Sequence, residues 1–394
     1  MNSPPGSRAP YLASRLQGLG TTVFAEMSAL AERTGSINLG QGFPDRDGPA
    51  EVAEAAVAAI RGGRNQYPPG AGVPELRQAV SAHQRRFYGI EVDPETEVLV
   101  TAGATEAITA AVLGLCETGD EVVVFEPFYD SYGAAIALAG AQRRAVPLEP
   151  PDWSFDPERL AAAVTPRTRL ILLNSPHNPT GKVFSGEELE LVADCCRRHD
   201  LVAVTDEVYE HLVFEGEHQP LCRLPGMAER TLTVSSAGKT FSFTGWKVGW
   251  VCGPAPLLAA VRTVKQFLTY VNGAPFQPAV AAGLGLPDEF FAGAAAALRA
   301  GRDRLCAGLA ETGFTVFQPH ATYFAITSID GFGVSDGLAF CRELPHRCGV
   351  VAVPAAAFYD DPRQRRPLVR FAFCKQPAVL DEAISRLGRL RAPA

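Results

Sequence analysis

Ser235-Ser236-Ala237-Gly238-Lys239-Thr240-Phe241-Ser242-Phe243-Thr244-Gly245-Trp246-Lys247-Val248-Gly249-Trp250 is the stretch around which the rest of the chain can be read. The apolar, β-branched run Thr231-Leu232-Thr233-Val234 leads into it and predicts a strand ending in two serines, a small pair and a lysine. Among small and aromatic residues a lysine is desolvated. This disfavours its ammonium form and leaves an amine able to attack a carbonyl near neutral pH. Lys247, eight residues on, brings a second cation within reach of the same pocket, where it suits a phosphate. Read alone, the stretch also admits a lysine on a surface loop, so the other strand ends have to decide.

Upstream the rhythm is α/β. Short apolar runs at residues 98–101, 121–125, 170–173 and 201–205 predict buried strands, with a further segment at 143–148 and helices at 106–115 and 187–199. Each of three strands runs into a polar turn. After the first, Ala102-Gly103-Ala104-Thr105 opens a helix, and amide N–H groups together with the helix dipole make an anion site. The turn is neither a dinucleotide fingerprint nor a Walker loop. After the strand at 170–173 comes Asn174-Ser175-Pro176-His177-Asn178-Pro179-Thr180-Gly181, where two prolines fix the loop around an asparagine. Asp206-Glu207-Val208-Tyr209 ends the strand at 201–205, and a carboxylate there needs a cationic or N–H partner. Thr105, Asn178, Asp206 and Lys239 are thus expected at one sheet edge, where open α/β sheets bind ligands. Three aromatics in Glu126-Pro127-Phe128-Tyr129-Asp130-Ser131-Tyr132 belong to the same edge.

The remaining segments frame this unit. Helices are expected within residues 11–34 and at 50–61, 74–88, 256–270, 288–312 and 338–347, with strands at 314–317, 323–327, 350–353 and 368–373. In Asn38-Leu39-Gly40-Gln41-Gly42-Phe43-Pro44-Asp45, two glycines around a glutamine leave backbone N–H groups free to face a ligand.

With 394 residues, the chain has room for about two to three domains. Hydrophobic residues make up 47% and charged residues 20%, as in an ordinary globular protein, and the net charge of −7 argues against nucleic-acid binding. No apolar run has membrane-spanning length, and the first seven residues read as a short flexible lead-in without a signal region, so a cytoplasmic protein is expected. Nine scattered cysteines fit reduced thiols, and seven histidines without paired ligand spacing give no expectation of a metal.

Taken in order and spacing, these motifs, with Val369-Arg370-Phe371, resemble the class I aminotransferases of fold type I over about residues 23–390. Within that class, Asn65-Gln66-Tyr67-Pro68-Pro69-Gly70 and Gly273-Ala274-Pro275-Phe276-Gln277-Pro278 most resemble the N-succinyldiaminopimelate aminotransferases of actinobacteria, in the branch that also holds kynurenine/glutamine and methionine aminotransferases. The resemblance implies an α/β fold. It has a large domain (residues 49–284) with a seven-stranded, mostly parallel sheet, and a small α+β domain formed by residues 1–48 and 285–394. It implies pyridoxal 5'-phosphate as cofactor, ping-pong exchange of an amino group between an amino acid and a 2-oxo acid, and a homodimer with composite active sites.

The same resemblance assigns roles. Lys239 would carry the cofactor as a Schiff base and move the proton, and Asp206 would pair with the pyridine nitrogen. Asn178 and Tyr209 would bind the ring oxygen, and Phe128 would stack on the ring. Gly103, Ala104, Thr105, Ser236 and Lys247 would hold the phosphate, with Tyr67 reaching it from the partner subunit. Arg370, assisted by Gly42 and Asn178, would bind the substrate α-carboxylate. Many relatives of aspartate aminotransferase have arginine where Lys247 stands, so a point charge replaces a fork here. The same residues would also serve a C–S β-lyase, and the substrate is expected to be N-succinyl-LL-2,6-diaminopimelate, with kynurenine, glutamine or methionine as alternatives.

Overall fold

The computed structural model describes residues 11–17, 22–360 and 367–390; the lead-in expected at residues 1–7 lies outside them. Seven strands form the larger sheet: β1 (Val98–Thr101), β2 (Glu121–Glu126), β3 (Gln142–Pro147), β4 (Thr168–Asn174), β5 (Val202–Asp206), β6 (Thr231–Ser236) and β7 (Gly249–Cys252). Their spatial order is β1-β7-β6-β5-β4-β2-β3. Neighbours pair parallel except at β7, which runs antiparallel to both β1 and β6. The central strands are buried almost residue for residue. Helices cover both faces of such a sheet, which is why these strands appear in the sequence as unbroken apolar runs.

Register brings the strand ends together. Asn174 pairs with Asp206 across β4 and β5, and Asp206 with Val234 across β5 and β6. Gly249 of β7 lies between Ser236 and Thr101. The carboxyl ends of β4, β5 and β6 and the end of β1 therefore share one edge. Nothing in the local residues predicted β7. Its four residues start with a glycine and carry a buried tryptophan, and they are too few to show a period.

A second, antiparallel sheet contains β8 (Thr315–Phe317), β9 (Phe324–Ser328), β10 (Val353–Pro354) and β11 (Leu368–Ala372), in the order β10-β11-β9-β8. Arg370 sits in β11 opposite Ile326 on one side and Val353 on the other. The N-terminal segment belongs to this layer. Ile37–Asn38 pairs parallel with Val350–Val351, and Met27 and Leu30 share a core with Leu305, Phe340 and Phe371. The helix expected within residues 11–34 is shorter than that span. It runs Val23–Thr34, capped by the Thr22 hydroxyl and closed by Gly35 at φ 61°. Phe276–Leu284 is helical, and a last helix, Pro377–Leu387, was not expected. Among the described residues no helix is long and apolar enough to cross a membrane.

Candidate active site

A cavity of about 400 Å³ opens at the shared strand edge, between the large sheet and β9 and β11. Its walls include Gly42, Gly103, Ala104, Thr105, Asn178, Asp206, Tyr209, Ser236, Lys239, Lys247 and Arg370, so eleven of the thirteen expected site residues meet there.

Lys239 lies in the short helix Ala237–Thr240 that follows β6 directly. Its Nζ is 5.7 Å from the Tyr323 ring centroid and 6.0 Å from that of Tyr209, and it makes no hydrogen bond among the described residues. Burial lowers its pKa to about 8, against a smaller opposing pull from Cys374 and Asp206. Asp206, the last residue of β5, is also buried. Tyr132 donates its hydroxyl hydrogen to Oδ2 at 2.6 Å and the Val208 N–H donates to Oδ1 at 3.3 Å. Burial outweighs these donors and pushes the carboxyl up to about 6. Asp206 makes no ion-pair contact among the described residues, although the charge of Lys239 across the cavity draws its pKa down, so the site holds a buried carboxylate without a contacting cation.

Asn178 is oriented from both ends. Its N–H donates to Asn174 Oδ1 at 2.7 Å, and its Oδ1 accepts from Arg370 Nη1 at 2.9 Å, which leaves its NH2 group as a donor. Arg370 also donates from Nη2 to the Gly40 carbonyl at 2.9 Å, and its guanidinium lies 3.8 Å from the Phe324 ring centroid. Its Nε is buried without a partner. A buried N–H without an acceptor is costly, and an incoming carboxylate would satisfy it.

The helix Gly103–Leu115 begins at the cavity. Its first residue has φ 74°, and no side chain caps its first amides. A Cβ on Gly103 would lie 3.5 Å from Lys247 Nζ, and one on Gly249 would strike the Gly103 backbone at 2.7–2.8 Å. Helix-start amides, a hydroxyl from Ser236 and the Lys247 amine surround the space beside Gly103, whose φ of 74° favours glycine. That donor set fits a phosphate. With an amine, a buried carboxylate without a contacting cation and an amide donor opposite, the residues fit pyridoxal 5'-phosphate.

Two expected residues lie elsewhere. Phe128 is in the core under the Asp130–Leu138 helix, and Tyr129 lines the cavity in its place. Successive side chains of an extended segment point to opposite sides, so the phenylalanine inward means the tyrosine outward. Tyr67 lies outside the cavity, 81% exposed, with its ring edge-on to Tyr270 at 5.6 Å. Three residues take positioning roles that the sequence did not assign to them. Tyr132 holds Asp206, Asn174 holds both the Asn178 N–H and the Asp206 carbonyl, and Tyr323 donates to the Gly42 carbonyl at 2.6 Å. A polar residue ending a buried strand was the available signal for Asn174; spacing of three from Tyr129 was that for Tyr132.

Elsewhere His83, Glu210 and His211 converge, contrary to the scattered look of the histidines. The two imidazoles hydrogen-bond each other at 2.7 Å and Ser235 donates to Glu210, so the group is held together by its own contacts.

The chain is similar to known proteins over nearly its whole length. The family profile "Aminotransferase class I and II" matches residues 34–387. The chain is 55% identical over 388 residues to the "Probable N-succinyldiaminopimelate aminotransferase" of Mycobacterium tuberculosis, covering 96% of this chain and 98% of that one. It is 39% identical over 378 residues to the methionine aminotransferase of Escherichia coli, covering 96% and 98%. The solved structure of N-succinyldiaminopimelate aminotransferase from Mycobacterium tuberculosis superposes with a TM-score of 0.94 at 56% identity, over 96% of this chain and 99% of that one.

Proposed function

The chain belongs to the pyridoxal-phosphate-dependent class I and II aminotransferases, and from that premise we propose that its substrates are N-succinyl-LL-2,6-diaminopimelate and 2-oxoglutarate, exchanged by a ping-pong mechanism. Identity of 55% over nearly the whole length supports this substrate, against 39% and 38% for methionine and kynurenine aminotransferases. Transamination itself is carried by one observation. An amine with its pKa lowered to about 8 and a buried carboxyl raised to about 6 face one cavity with an arginine whose Nε lacks an acceptor.

Bound pyridoxal 5'-phosphate supplies an aldehyde that captures an amino group and a ring that takes up the electron pair left at the substrate's Cα. Lys239 Nζ, unprotonated in a useful fraction near neutral pH, holds the cofactor and carries the proton taken from Cα. Asp206, kept in place by Tyr132 and Val208, would pair with the ring nitrogen and favour its protonated form. The NH2 group of Asn178 and the hydroxyl of Tyr209 would donate to the ring oxygen. Tyr129, rather than Phe128, would cover the ring face. Gly103, Ala104, Thr105, Ser236 and Lys247 would hold the phosphate. Arg370 and the Gly42 N–H orient the α-carboxylate, which sets the Cα–H bond for abstraction.

We read the active unit as a homodimer in the cytoplasm. Exposed Tyr67, Phe267, Leu268 and Tyr270 support a partner contact, and free thiols at all nine cysteines support a reducing compartment. The domain division at residues 48/49 and 284/285 fits the shared core of the N-terminal helix with the C-terminal layer. Borohydride reduction of the holoprotein followed by peptide mapping tests the site. The expected pyridoxyl label is on Lys239 alone; a label on Lys247 or Lys375 instead would overturn the assignment.

A further inference from the structure

The phosphate cradle depends on a residue with an unfavourable backbone. Lys247 has φ 54°, in the left-handed region that side chains other than glycine, asparagine and aspartate rarely enter. In that conformation the chain passes from the helical turn Thr244–Trp246 into β7, and Nζ lies beside Gly103. The contact that holds it comes from a segment remote in sequence. Asn272 Nδ2 donates to the Lys247 carbonyl at 3.2 Å and to the Thr101 carbonyl at 2.8 Å. One amide thus ties together the two backbone segments that carry the cradle: the end of β1, which leads into Gly103, and the residue before Val248 and β7.

The amide is itself oriented. Asn272 Oδ1 accepts from Gln277 Nε2 at 2.7 Å, and Gln277 Oε1 accepts from the Val73 N–H at 2.8 Å. Gln277 is 1% exposed, so its direction is set by packing and by a backbone donor that cannot reverse. Because Gln277 offers its NH2 group to Asn272, the asparagine must turn its own NH2 toward the two carbonyls. A second link fixes the same region. Glu106, in the first turn of the Gly103–Leu115 helix, accepts from the Ala102 N–H at 2.6 Å and from the Thr269 hydroxyl.

We propose that Asn272, oriented by Gln277, is a positioning residue for the phosphate cradle. It holds Lys247 in its left-handed conformation and keeps Lys247 and Gly103 in register for the cofactor's phosphate. This rests on the cofactor assignment above. The inference predicts a defect confined to the phosphate end of the ligand. Apoprotein is titrated with pyridoxal 5'-phosphate and, separately, with pyridoxal, which lacks the phosphate but keeps the aldehyde and ring. Asn272→Ala should weaken pyridoxal 5'-phosphate binding by about tenfold or more while pyridoxal binding stays within about twofold. Asn272→Asp, which turns an acceptor toward two carbonyls, should lose more. Gln277→Glu keeps Asn272 but removes the donor that orients it, and should shift the preference in the same direction. Melting curves of the apo forms show which variants are folded. If a folded Asn272 or Gln277 variant keeps the wild-type ratio of the two affinities, the inference is overturned. If the wild type itself has no preference for the phosphate ester, the cofactor assignment falls first.

Discussion

Asp206 and Lys239 are opposite in charge when ionised, yet burial pushes each toward its neutral form. For Asp206, a shift from 3.8 to about 6 amounts to about 3 kcal/mol of native-state penalty. The folded pKa is the higher one, so the penalty is absent below about pH 4 and complete above about pH 6. Asp206→Asn should therefore raise the melting temperature of the apoprotein at pH 7, because Tyr132 can still donate to an amide oxygen. The same change should lower turnover by about 10²–10³-fold, since the ring nitrogen loses its anionic partner. An apoprotein no more stable than wild type, measured by calorimetry at pH 7, would count against the unpaired carboxylate. For Lys239 the folded pKa is the lower one, about 8 against 10.5. The rate at which apoprotein takes up pyridoxal 5'-phosphate should climb with pH through about 8 and then level; a rise continuing to 10.5 would show a solvated amine. Arg370→Lys keeps a charge but loses the fork. With about 1.5–3 kcal/mol at stake in a charge-assisted hydrogen bond, KM for amino acids should rise about ten- to a hundredfold, with the cofactor spectrum unchanged.

At the scale of elements, β7 and the Gly103–Leu115 helix make the tightest backbone approach in the site. A methyl at Gly249 would sit 2.7–2.9 Å from Gly103 and Ala104 backbone atoms, which have no side-chain freedom with which to yield. Gly249→Ala should cost about 1–3 kcal/mol of stability and weaken cofactor binding, read by thermal melting and cofactor titration. How far the sequence reveals this arrangement depends on the kind of signal. Buried strands appear as apolar runs, so β2, β4, β5 and β6, and the polar residues that end them, could be placed from composition alone. β7 could not, because four residues starting at a glycine carry no periodicity and its pairing with β1 and β6 is non-local. Phe128 and Tyr129 are adjacent aromatics, and only the direction of the backbone after Pro127 decides which faces the cavity. Asn174, Tyr132 and Tyr323 act through partners 4 to 281 residues away, and such pairings exist only once the chain is folded.

In the whole molecule, the site lies between two layers and beside an exposed aromatic surface. Tyr67 and Tyr270 meet edge-on there, with Phe267 83% exposed nearby. A homodimer that covers this surface should sediment as a single species at micromolar concentration, and Tyr67→Ala should weaken cofactor binding; a fully active monomer would contradict the composite site. The substrate is also a property of the whole cavity. Arg370 can meet one carboxylate, whereas N-succinyl-LL-2,6-diaminopimelate carries two more at its far end. Transamination with 2-oxoglutarate, compared across this substrate, kynurenine, methionine and glutamine as kcat/KM, tests the central claim most directly. Succinyl-diaminopimelate should lead by at least tenfold, about 1.4 kcal/mol of transition-state discrimination; a tenfold lead for any of the other three would contradict it.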